Sequence, residues 1–268
     1  MRNNLNKDLA QKEHWDFIYQ NAFEAKSWKP QSYDSLCIER MLMNAIKRYK
    51  PKSILEVGCG NSYWLPYLNK TTNIAVAGID YSEIGCEKAR ENLNRAGASG
   101  KIYCADIFQS GPELTGTYDM VFSLGVVEHF FNLNNVLEAI KKFANPGGSI
   151  ITEVPNLKSV HGLMAYIWHP ALLKKHRIIS KKELVSAHIE SGLENVRASY
   201  LGLFSLNIIN WEIYHRFRFY KKLLPLTNFL NKFTNRILIK LNLFAPNTAL
   251  LSPFIYVTAL KKDELQLK

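Results

Sequence analysis

The sequence predicts an α/β fold, a doubly wound sheet of mainly parallel strands, and three observations carry that prediction. Short apolar runs alternate with helical-period stretches from Ser53 to Val154, the order that gives parallel strands joined by crossover helices. A Gly58-Cys59-Gly60 turn follows the first run directly. Acidic residues Glu56, Asp80 and Asp106 close three successive runs, and the carboxyl ends of strands are where such sheets bind ligands.

Taken in order, Leu5–Tyr19 has the spacing of a helix, and Ser32–Arg48 a second, ended by Pro51. Ser53–Val57 reads as a strand, Ser62–Asn69 as a helix and Ile74–Ile79 as the next strand. Ser82 supplies a hydroxyl cap for a helix through Ala96, and Gly97 ends it. Lys101–Ala105 and Tyr118–Leu124 are strands three and four. The helix Leu133–Phe143 stops at Asn145-Pro146-Gly147-Gly148, before strand five at Ser149–Val154. Beyond Pro155 come a helix at Leu157–Trp168, a basic link at Lys174–Arg177 and a helix capped by Ser180. Leu193–Leu201 is a sixth strand, Phe204–Phe244 a long basic helical stretch and Phe254–Leu260 a last strand. This divides the chain into a helical N-terminal cap (1–50), a core (51–203 and 248–262) and a basic helical insertion (204–247).

At 268 residues, with 47% hydrophobic and 21% charged side chains, the chain can bury a full core without disulfides. Cys37, Cys59, Cys86 and Cys104 make no C-x-x-C pair, so reduced thiols are expected rather than a zinc site. The N-terminus shows no apolar signal segment, and no apolar run reaches the ~18 residues of a span. The expected location is cytoplasmic, with peripheral attachment to the inner membrane face as an option. The net charge of +11 is concentrated: residues 1–157 carry 17 basic and 17 acidic side chains, whereas 158–244 carry 14 and 4. That stretch is suited to an anionic partner.

The glycine turn lets a ligand approach the backbone closely. Glu56 is an acid within an apolar run, costly unless it meets a cation or hydrogen-bond donor. Asp80, 20 residues past Gly60, can accept from both hydroxyls of a ribose. Asp106 can accept from an adenine amino group. Tyr63 stands where a dinucleotide-binding turn would carry its third glycine, which favours a sulfonium nucleoside over a pyrophosphate.

These residues resemble the class I S-adenosylmethionine-dependent methyltransferases, in the branch of the ubiquinone-biosynthesis O-methyltransferases. The likeness lies in ILEVGCGNS (54–62), GIDYSE (78–83), CADIF (104–108), YDMVFSLGVVEHFFN (118–132) and NPGGSIITEVPN (145–156). It implies a Rossmann-like seven-stranded sheet, six strands parallel and strand seven antiparallel, with S-adenosyl-L-methionine as cofactor. It further implies that Glu56, Gly58 and Gly60 line the methionine half, that Asp80 holds the ribose and Tyr81 flanks the adenine, and that Asp106 and Ile107 meet the adenine edge. Ser123, Leu124 and Gly125 would border the point of methyl transfer.

Methyl transfer from a sulfonium needs mainly orientation of the acceptor; a hydroxyl acceptor also needs its proton removed. His129, in Val126-Val127-Glu128-His129, is the candidate base, against a purely structural role. His161, His169 and His176 follow strand five, with Glu153 at its end, but no H-x-x-x-H spacing occurs and no metal is expected. The expected reaction is O-methylation of a small or lipid-linked acceptor, a glycan sugar or quinone precursor; a non-catalytic nucleoside-binding protein is the contrasting class.

Residues 204–244 hold seven Lys/Arg and one acid, Glu212. Phe229, Leu230, Phe233 and Ile237 recur at helical spacing, with Lys232, Arg236 and Lys240 on the other face. Three readings stay open: a lid over the acceptor, a dock on an anionic membrane surface, and nucleic-acid binding, which the lack of an RNA-binding module and of an N-P-P-Y tetrapeptide disfavours.

Overall fold

The computed structural model describes residues 8–21, 29–168, 170–205, 229–230, 233–234, 236–240 and 247–263. Seven strands form one sheet: β1 Ser53–Val57, β2 Ala75–Asp80, β3 Gly100–Cys104, β4 Tyr118–Leu124, β5 Ala144–Pro155, β6 Leu193–Leu201 and β7 Phe254–Lys261. Their order is β3-β2-β1-β4-β5-β7-β6. Strands β1 to β5 are parallel, and β7 runs antiparallel between β5 and β6, the topology the resemblance implied.

Alternation along each strand makes two apolar layers. Leu55, Val57, Ala77, Val121 and Ile150 pack with the helices α5 (Leu133–Phe143) and α8 (Lys181–Glu190). Ile54, Val76, Met120, Phe122 and Ile151 pack on the other face with α2 (Tyr33–Tyr49), α3 (Trp64–Thr72) and α4 (Glu83–Ala96). Neither face of the central strands can be left in water, so both layers form together.

The capping chemistry sets the helix limits. Ser82 Oγ accepts from Gly85 N–H, and Gly97 closes α4 in the left-handed region. In α8, Ser180 and Glu183 exchange capping bonds across the first turn. Ser62 stays outside α3 because its Oγ accepts from Trp64 and Leu65 N–H, so the helix begins two residues later than expected. The strand β5 begins at Ala144, earlier than the expected Ser149, because Tyr118 already pairs with Ala144 before a register shift.

Two expectations about the flanks change. The helix expected over Leu5–Tyr19 is α1, Lys12–Asn21; residues 1–7 lie outside the described residues, and Asp8 instead bridges to Phe130 in an antiparallel contact. The basic link at Lys174–Arg177 is partly helical: α6 (Val160–Trp168) is followed by α7 (Pro170–Lys175). Of the expected helix Phe204–Phe244, residues 206–228, 231–232, 235 and 241–244 lie outside the described residues; 229–230, 233–234 and 236–240 are helical.

Candidate active site

The sheet order reverses between β1 and β4, so the helices following them leave on opposite faces and a crevice opens at the strand ends. A cavity of about 360 Å³ occupies it, at the lower end of the ~300–1,000 Å³ usual for small-ligand sites. Glu56, Gly58, Gly60, Asp80, Tyr81, Asp106, Ile107, Leu124 and His129 all line it. Ser123 does not: it is fully buried behind the wall, and its Oγ has no hydrogen-bond partner among the described residues.

The glycine turn is tied to β2 through one carboxylate. Asp80 Oδ2 accepts from Gly60 N–H at 2.8 Å and Oδ1 from Ser82 N–H at 2.8 Å. Burial nevertheless holds its carboxyl above the ordinary range. Gly58 has φ +76°, and a Cβ there would stand 2.5 Å from Val126 Cγ2, so this position takes no side chain without strain. Glu56 is buried and accepts from Ser62 Oγ at 2.5 Å. Burial, with Asp80 nearby, pushes its carboxyl up to about 8. Asp106 accepts from Phe108 N–H at 2.9 Å, a local turn that leaves further lone pairs on the carboxylate.

Helix α1 forms the roof, which the sequence did not disclose. Trp15 and Tyr19 line the cavity. Tyr19 packs on Gly60 and Gly85, with its hydroxyl close to the Asp80 carboxylate. Ser82 Oγ donates to Asp16 at 2.5 Å, Tyr81 to Asp8 at 2.6 Å, and Leu9 N–H to the His129 carbonyl at 2.7 Å. The periodicity of Leu5–Tyr19 foretold a helix; which surface it covers depends on these long-range polar contacts, which carry no local signature.

His129 lies 5% exposed on the wall, its Nδ1 2.8 Å from the Lys175 carbonyl and its ring edge-on to Trp15 at 4.9 Å. Burial, then the adjacent His176, push its pKa down to about 3. His176 stands beside it, ring centroids 4.4 Å apart. His161 is elsewhere: its Nδ1 meets Ser159 Oγ at 2.9 Å and its Nε2 accepts from Ser205 N–H at 3.0 Å, fixing α6 to the chain after β6. Glu153 is buried, with Oε1 lacking a hydrogen-bond partner among the described residues. His169 lies outside the described residues. Cys37, Cys59 and Cys86 are buried and Cys104 exposed; all four are free thiols.

A family model for a methyltransferase domain matches residues 32–198. A ubiquinone biosynthesis O-methyltransferase of Bordetella avium is 24% identical over 208 residues, 72% of this chain and 83% of that protein. One from Thiobacillus denitrificans is 27% identical over 151 residues, 53% of this chain and 65% of its own length. Among solved structures, the plantazolicin methyltransferase BpumL, in complex with a monoazolic desmethylPZN analog and SAH, superposes with TM-score 0.54 at 18% identity, over 86% of this chain and 87% of that one. The matched span runs from α2 into β6, through every strand end that builds the cavity: the chain belongs to the methyltransferase-domain family and is an S-adenosylmethionine-dependent methyltransferase.

Proposed function

We propose that the cavity at the β1–β4 crevice is the cofactor site and that the protein O-methylates a small or lipid-linked acceptor, such as a glycan sugar or a quinone precursor. One observation supports this most: eight of the nine residues expected at the cofactor, drawn from four strand ends, line a single cavity. The donor set fits the group. Gly58 and Gly60 leave the turn's backbone open, Glu56 is a buried carboxyl ready for a cationic amine, and Asp80 and Asp106 hold acceptor oxygens at the ends of β2 and β3.

When bound, the cofactor supplies an electrophilic methyl group on sulfur. Glu56 then anchors the ammonium end, Asp80 the ribose hydroxyls, and Tyr81, Asp106 and Ile107 enclose the adenine. Leu124 borders the transfer point, with Ser123 supporting it from behind. The α1 roof excludes water, which strengthens every polar contact beneath it. His129 is neutral across the working range, but an imidazole with a pKa near 3 takes a proton from an alcohol poorly on its own. That weakens the case for His129 as a general base.

The O-methyltransferase relatives favour a hydroxyl acceptor. A lipid-linked one is favoured by the surface: Phe229, Leu230, Phe233 and Ile237 are exposed along one helical row, and Arg236 and Lys240, expected on the other face, fall beside that row at about 3.6 residues per turn, an apolar and cationic strip suited to an anionic membrane interface. The test is release of S-adenosylhomocysteine with a panel of phenols, sugars and isoprenoid-linked hydroxyls. Turnover confined to amines or RNA would overturn the O-methylation reading. Flotation with anionic liposomes, reversed by salt and by neutralising Lys221, Lys222, Lys232 and Arg236, is expected; no flotation would remove the membrane component.

A further inference from the structure

The turn after β4 and the end of α7 bring together three metal-ligating side chains far apart in sequence. Ligand atoms of Glu128, His129 and His176 all lie within 4.8 Å of one another. The backbone fixes how both imidazoles are presented. His129 Nδ1 lies 2.8 Å from the Lys175 carbonyl and His176 Nδ1 2.8 Å from the Leu172 carbonyl. A carbonyl only accepts, so each Nδ1 carries the proton and each Nε2 the lone pair.

Glu128 is 1% exposed, and its Oε2 has no hydrogen-bond partner among the described residues. Its Oε1 is 3.9 Å from His129 Nε2, beyond hydrogen-bond reach. The Nε2 atoms of both imidazoles and the buried carboxyl of Glu128 thus face one another. A buried carboxyl oxygen without a hydrogen bond, as Glu128 Oε2 is among the described residues, is costly as it stands.

We propose that Glu128, His129 and His176 form a binding site for one divalent transition-metal ion, of the zinc or manganese class. Two imidazoles and one carboxylate are the donor set of catalytic metal sites that keep positions open. Magnesium and calcium prefer oxygen ligands alone. The carbonyls of Lys175 and Leu172 act as the outer contacts that orient metal-bound histidines. His129 also lines the cavity, so the cluster borders it. This use of the site rests on the methyltransferase reading: a bound ion would supply polarisation of an acceptor oxygen, and His129 would serve as ligand rather than proton acceptor.

The experiment uses the full chain, stripped with a chelator and dialysed, then titrated calorimetrically with zinc, manganese and magnesium chlorides. One zinc or manganese ion per chain is expected, with magnesium at least tenfold weaker. His176→Ala, at a half-buried position, and Glu128→Gln should each weaken binding at least tenfold. The ion should raise the thermal midpoint of the wild type and not of His176→Ala. No saturable binding, or equal affinity in wild type and both variants, overturns the site. Calorimetry with S-adenosylmethionine on the same protein separates the two readings: cofactor binding together with a failed ion titration sinks the metal site alone, and ion binding without cofactor binding sinks the methyltransferase use and leaves the metal site standing.

Discussion

The phenol of Tyr19 rests on Gly60, whose N–H donates to the Asp80 carboxylate at 2.8 Å. A carboxylate offers about four lone-pair positions; Gly60 N–H and Ser82 N–H take two of Asp80's. Two ribose hydroxyls need the other two. The Tyr19 hydroxyl, close to the same carboxylate, competes with them. Tyr19→Phe should bind S-adenosylmethionine about 2–5-fold more tightly in calorimetry, the worth of one neutral hydrogen bond. A loss of affinity would show instead that the phenol is part of the bound-state contact set.

Glu56 gives a pH dependence of defined sign. Its unliganded carboxyl, held near 8, keeps its proton at pH 7. A cationic group binding against it favours the carboxylate and expels that proton. Cofactor affinity should climb between pH 6 and 8, by up to about tenfold per unit, and level off above. Proton release, read from calorimetry in buffers of differing ionisation enthalpy, should vanish in Glu56→Gln. Affinity that is flat over this range would refute the assignment.

Gly58 tests the turn. Alanine at φ +76° is strained, and its Cβ would overlap Val126 Cγ2. Gly58→Ala should destabilise by about 1–3 kcal/mol in urea unfolding and weaken cofactor binding more than tenfold. Val126→Ala in the same chain should recover the part due to crowding but not the part due to backbone strain. Full recovery would mean that the left-handed conformation itself matters little.

Buried histidines set the acid limit of stability. His188 accepts from Thr152 Oγ1 and donates from Nδ1 to the Leu184 carbonyl, and burial lowers its pKa to about 4. A depressed histidine pKa leaves stability intact above the unfolded value near 6.5 and removes it as the pH falls towards 4. His188 alone should cost about 2 kcal/mol by pH 5. Urea midpoints at pH 7.5 and 5.0 should differ less in His188→Gln than in the wild type. Equal differences would falsify this attribution.

The sequence carried the central sheet because β1, β2 and β4 are short apolar runs set between helices; Phe254–Leu260 was legible as a strand too, and only its antiparallel direction came through resemblance. The cavity's floor was legible for the same reason: Glu56, Asp80 and Asp106 sit where strands must end. Its roof was not. Tyr19 and Trp15 belong to a helix whose period is plain but whose docking depends on Asp16 meeting Ser82 and Asp8 meeting Tyr81. The cluster of Glu128 with His176 was hidden likewise, since no spacing rule links a turn after β4 to the end of α7.

Leu201 and Phe254 pair across β6 and β7, so residues 202–253 leave the sheet and return to it at a single doorway. The entropic cost of closing such an excursion rises by only about 0.6 kcal/mol for each doubling of its length. The sheet is therefore nearly indifferent to what is hung there. An evolving lineage can lengthen, trim or exchange that piece while the cavity at the ends of β1 to β4 goes untouched.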